Sequence, residues 1–143
     1  MKKTFGLLIL CALALVAADN PFVGTWKLNV AKSKFSPGPP LQSQTVTISA
    51  DNKVEVSGTD SKGQTVNWSY MATPGTATIT GMPDASVVET RKGNTVDHAW
   101  KIGKATQKGH GVISKDGKTM IYTLKGTDAE GKKVSDRSVY EKQ

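Results

Sequence analysis

From residue 44 to the C-terminus, polar and apolar residues alternate in short runs, and each run stops at a small cluster rich in Asp, Asn, Gly or Lys. Residues 44–49, 53–57 and 65–70 are the clearest cases, separated by Asp51-Asn52 and by the turn from Asp60 to Gly63. A period of two places every second side chain on one face, which is the pattern of a strand with one buried side. The turn residues accept the positive φ values that tight hairpins demand. The pattern continues through residues 86–90, 94–102, 105–113, 119–124 and 132–141, with turns at Arg91-Lys92-Gly93, Gly103-Lys104, 115–118 and 128–131. Only residues 73–83, rich in Pro and Gly, read as a looser connection. No window of helical period reaches the length of a stable helix. With residues 24–29 as the first strand, the chain is predicted to be all-β, a single antiparallel up-and-down β-barrel of about 8–10 strands. Closure is expected because a meander this long would otherwise leave open edges that invite aggregation.

The first 18 residues do not share this pattern. Lys2 and Lys3 precede an apolar run from Phe5 to Val16, and Val16-Ala17-Ala18 offers small residues for cleavage. This is the layout of a secretory signal peptide, so the mature chain is predicted to be secreted or periplasmic, with cleavage near Ala18. The apolar run is shorter than the ~20 residues that cross a bilayer, which argues against a retained anchor. Lipoprotein processing at Cys11 is disfavoured by Leu10, which stands where a small residue is needed. The barrel is assigned to residues 19–143 as one domain. Cys11 is the only cysteine and leaves with the signal, so the mature chain has neither a disulfide nor a thiolate metal site. The formal net charge of +7 includes Lys2 and Lys3, and lysines such as Lys27, Lys53, Lys62, Lys101, Lys115 and Lys125 are scattered rather than grouped. A nucleic-acid surface would cluster them with aromatics, so nucleic acid is not an expected partner. A monomer with no stable membrane span is expected, and an envelope protein is the macromolecular partner considered.

The segment Phe22-Val23-Gly24-Thr25-Trp26-Lys27-Leu28 resembles the opening of the calycins, the superfamily of lipocalins and fatty-acid-binding proteins. In that superfamily a Gly-x-Trp motif lies on the first strand, and its Trp closes one end of the barrel. Ser138-Val139-Tyr140-Glu141 resembles the last strand of fatty-acid-binding proteins. Residues 24–38, 112–119 and 125–131 are similar to a group of small secreted bacterial lipocalin-like proteins whose function is largely unassigned. The resemblance implies a lipocalin-like barrel with a small-molecule interior. Two departures bear on the ligand. Residues 30–41 hold Pro37, Gly38, Pro39 and Pro40, leaving room for at most one helical turn where fatty-acid-binding proteins carry a helical lid. Ser138 stands where those proteins place a carboxylate-binding arginine, and Arg137 falls one residue away, on the opposite face.

Strand parity nominates the interior. Val96, His98, Trp100 and Ile102 share one face, as do Val66, Trp68 and Tyr70, then Met120, Tyr122 and Leu124, and finally Val134, Asp136, Ser138 and Tyr140. The candidate ligand-contacting residues are therefore Trp68, Tyr70, His98, Trp100, Tyr122, Ser138 and Tyr140. Buried tyrosines seek partners for their hydroxyls, so Tyr70, Tyr122 and Tyr140 are expected to form a polar network. Trp26 is expected to plug one end and Phe35 to cover the other. His98 and His110 lie near one turn and could approach one another, but two histidines alone make neither a zinc site nor an acid–base pair. No catalytic residue, metal or cofactor is assigned, and an enzyme is not expected. The leading expectation is a carrier of one apolar or amphipathic ligand, such as a lipid. The alternative is a non-enzymatic envelope interaction module or inhibitor with a filled barrel. A continuous interior cavity above roughly 300 Å³ marks the first. A packed interior under an exposed apolar patch marks the second. A triad-like cluster around His98 would bring an enzyme back into consideration.

Overall fold

The computed structural model describes residues 19–143, and the predicted signal segment, residues 1–18, lies outside the described residues. Ten strands run in chain order: β1 (Gly24–Leu28), β2 (Ser43–Ile48), β3 (Lys53–Thr59), β4 (Thr65–Met71), β5 (Thr76–Thr78), β6 (Ala85–Lys92), β7 (Thr95–Ile102), β8 (Ala105–Ile113), β9 (Thr119–Thr127) and β10 (Lys133–Lys142). All pairings are antiparallel, in one sheet ordered β4-β3-β2-β1-β10-β9-β8-β7-β6-β5. The first strand lies beside the last, with Trp26 opposite Lys142 and Leu28 opposite Tyr140. Only β4 and β5 lack a ladder, and there a single bridge ties β4 to Thr80, two residues past β5: the Ser69 N–H donates to Thr80 O at 3.0 Å and the Thr80 N–H to Ser69 O at 2.9 Å. The result is an up-and-down barrel, closed except for this seam.

Strands β3 and β9 run on to Thr59 and Thr127, past the expected ends at 57 and 124, and two further differences bear on the interior. The Pro/Gly-rich stretch carries β5, three residues that pair with β6. Arg91 and Lys92, expected in a turn, extend β6 instead, because Arg91 pairs with Val96 and Lys92 with Thr95. The turn narrows to Gly93-Asn94, and the Thr95 hydroxyl donates to Lys92 O at 2.8 Å to hold it.

Between β1 and β2 there is no helical lid. A single 3-10 turn, Val30–Lys32, is capped by Asn29, whose side-chain oxygen accepts from the Lys32 N–H at 3.1 Å. The chain then returns to β10, where Lys34 and Arg137 exchange two backbone hydrogen bonds of 2.8 Å. Residues 34–36 thus continue the line of β1 toward the far end of the barrel. The near end is sealed by Trp26, which is fully buried and donates its indole N–H to Phe22 O at 2.9 Å. Lys142 Nζ lies 5.2 Å over the same indole. Burial of each such large side chain stabilises the fold by about 1.5–3 kcal/mol. No helix among the described residues is long and apolar enough to cross a membrane.

Candidate functional site

Alternation on the strands carries a set of side chains into the barrel. On β7, Asp97, Ala99 and Lys101 are exposed, while His98 and Trp100 point inward beside buried Val96. On β6 the inward set continues past Ala85 and Val87 to Glu89 and Arg91, and Glu89 stands directly opposite His98. Strand β4 supplies Trp68 and Tyr70, β9 supplies Tyr122, and β10 supplies Asp136, Ser138 and Tyr140.

These groups form one hydrogen-bonded chain. Glu89 accepts from the Tyr70 hydroxyl and from Arg91 Nε, and its Oε2 lies 2.9 Å from His98 Nε2. Tyr70 Oη is also 3.1 Å from His98 Nε2. On the other side of the imidazole, Nδ1 lies 3.1 Å from Tyr122 Oη, which accepts from Trp100 Nε1–H at 2.8 Å. Trp100 Nε1–H donates to Tyr122, the Nε2 edge of His98 meets the Glu89 carboxylate and its Nδ1 edge meets the Tyr122 hydroxyl, so both imidazole nitrogens have a partner. The side chains of Glu89 and His98 are only 5% and 8% exposed, so these bonds replace water almost completely. Burial pushes the Glu89 carboxyl up, but hydrogen bonds from His98 and Tyr70 and the charge of Arg91 outweigh it, and the net shift is downward. Burial, then the charge of Glu89, raises Tyr70 far above the ordinary phenol range. Burial raises Tyr122 as well. Both phenols therefore serve as hydrogen-bonding hydroxyls near neutral pH.

Tyr122 reaches His98 because two glycines lie beneath its ring. Gly109 pairs with His98 and Leu124, and Gly111 with Val96 and Tyr122, on adjacent strands. A Cβ at Gly109 would overlap the Tyr122 hydroxyl, and one at Gly111 would lie 2.8 Å from Val96 Cγ1. Aromatic packing holds the rest. Trp100 meets Trp68 and Tyr70 edge-on, at centroid distances of 5.7 and 5.8 Å, and stacks on His98 at 5.1 Å.

The network forms part of the wall of an interior cavity of about 230 Å³. The cavity reaches from Phe22 at the sealed end to Phe35, Leu41 and Asp136 at the other, and most of its lining is apolar. It falls short of the roughly 300 Å³ expected of a carrier, and the interior is nevertheless not filled, so it matches neither of the two expected interiors in full. All seven residues nominated from parity line it. Tyr70 and Tyr122 share the expected network through His98, whereas Tyr140 does not join it. The Tyr140 hydroxyl donates to Gln44 instead, and burial holds its phenol above the ordinary range. His110 does not approach His98. It faces outward, and its Nδ1 pairs with exposed Asp97 at 2.7 Å. Among the described residues no three His, Cys, Asp or Glu side chains gather as a metal site would need.

Parity did not nominate Glu89, Arg91 or Gln44, although all three line the cavity. The signal was present for two of them, since Val87, Glu89 and Arg91 alternate on one face. Arg91 was lost by ending the strand at Thr90, and Glu89, inside that strand, was lost because the inward face of residues 86–90 was not read.

No protein-family model matches the chain, and no curated protein matches it.

Proposed function

We propose that the protein is a secreted or periplasmic calycin-like barrel that holds one small amphipathic molecule in its interior, without turning it over. The observation that carries this is the cavity of about 230 Å³, apolar and aromatic over most of its wall, with a few polar groups converging on it. An apolar cavity of about 150 Å³ admits benzene, so this one suits a ring with a short substituent better than a long-chain lipid. Glu89–His98–Tyr122 has the order of a carboxylate–imidazole–hydroxyl triad, yet burial raises the Tyr122 phenol away from ionisation and Trp100 already donates to it, which supports binding over catalysis.

Native mass spectrometry of the protein from a secreting host, followed by solvent extraction, tests the proposal. A stoichiometric extra mass that leaves on denaturation is the expected result. Bare mass, together with unchanged Trp fluorescence across a panel of small aromatic and aliphatic amphiphiles, would rule the carrier out.

A second function has one observation in its favour. Val112 and Ile121 are half-exposed and lie opposite each other on the outer faces of β8 and β9. Bare mass combined with saturable binding to an envelope protein, abolished by Val112→Lys, would establish the interaction module instead.

A further inference from the structure

Charge bookkeeping inside the cavity separates the ligand classes it can take. Arg91 is the only Lys or Arg side chain in the lining. Its Nε is bonded to Glu89, its Nη1 lies 3.4 Å from Asn52 Oδ1, and its guanidinium sits 5.4 Å over the Phe22 ring. It is held at the sealed end with its charge already matched, so no free cation awaits a ligand carboxylate. Glu89 is likewise fully engaged by Tyr70, Arg91 and His98.

Asp136 differs. It lies toward the open end of β10, six positions before Lys142 at the Trp26 seal, and it is half-buried in the cavity lining. Its Oδ1 accepts from the Ser36 N–H at 3.0 Å. No basic side chain among the described residues pairs with it. Of the two carboxylates in the lining, Glu89 is paired with Arg91 and His98, and Asp136 is the one without a basic partner. A half-buried carboxylate without a counter-ion is unfavourable for the empty protein and favourable for a cation. In the same cavity Trp68, Tyr70 and Trp100 present aromatic walls that suit a ring and tolerate an adjacent ammonium.

Resting on the carrier function proposed above, we infer that the ligand is a primary or secondary amine on a compact apolar body, with its ammonium on Asp136 and its body among Trp68, Tyr70 and Trp100. Carboxylates of the same shape are excluded by the same charges, which removes fatty acids from the ligand class.

A matched series tests this: 3-phenylpropylamine, 3-phenylpropan-1-ol and 3-phenylpropionate, titrated into the purified protein at neutral pH by calorimetry and Trp fluorescence. The amine is expected to bind about ten-fold more tightly than the alcohol, and the acid most weakly. Asp136→Asn and Asp136→Ser are each expected to lower the amine to the level of the alcohol while leaving the alcohol unchanged. Equal or tighter binding of the acid overturns the amine inference and leaves the carrier standing. So does amine preference that survives in both variants. Binding of none of the three, with bare mass in native spectrometry, overturns the carrier itself.

Discussion

Glu89 is the residue on which the interior turns. It is a buried carboxylate that accepts from a guanidinium, an imidazole and a phenol, and removing it strands Arg91 and leaves both His98 and Tyr70 without their acceptor. Breaking such a buried pair costs about 3–5 kcal/mol, so Glu89→Leu is expected to lose stability of that order in urea unfolding. Glu89→Gln, which keeps the shape, should lose less. The two carboxyls of the cavity lining also respond oppositely to pH. The folded pKa of Glu89 lies below its unfolded value, so its contribution is present above about pH 4.5 and is lost as pH falls through the folded pKa. Unfolding free energy measured between pH 3 and 7 is expected to drop at the acid end, with a shallower drop in Glu89→Gln. Asp136 is raised by burial, against the Ser36 hydrogen bond, so it favours folding at low pH and opposes it once ionised. Asp136→Asn is therefore expected to raise Tm at neutral pH while it lowers amine affinity. Opposed effects on stability and binding in a single substitution are what a ligand-directed group produces.

At the scale of the element, β8 makes the site possible by what it omits. Gly109 and Gly111 leave the space in which Tyr122 lies across the strand, and Gly109→Ala is expected to push the hydroxyl off His98 and cost about 1–3 kcal/mol. A change in the His98 ring nitrogen resonances would report the lost hydrogen bond. The strands themselves were legible, because alternation and turn chemistry are local. So was the inward face of β7, where a single parity decision placed Val96, His98 and Trp100 together. The length of β6 was not legible. Arg91-Lys92-Gly93 looks like a turn when read locally, and it becomes strand because Val96 and Thr95 offer partners across the hairpin. That one misplaced boundary hid Arg91, and with it the counter-ion of Glu89. Strand β5 was missed for a related reason: three residues, Thr76–Thr78, are too few for a period to declare itself. Gln44 was missed because its role depends on Tyr140, 96 positions away, and no local pattern reports such a pairing.

At the scale of the whole molecule, the barrel is continuous except between β4 and β5. The Ser69–Thr80 bridge is its only hydrogen-bonded closure there, so the amides flanking it are expected to exchange with solvent faster than those of β7 and β8, which are paired along their whole length. A ligand that spans the cavity would slow exchange at this seam. Saturation at about 100 times Kd should add about 2.7 kcal/mol to the unfolding free energy, read as a concentration-dependent Tm. The opposite side of the barrel has a different consequence. β1 is hydrogen-bonded to β2 on one flank and to β10 on the other, so the Trp26 end cannot be completed until the last strand is in hand. Closure is the contact of greatest sequence separation and the slowest kind to form. A chain emerging from its N-terminus therefore holds its first strand half-paired throughout synthesis.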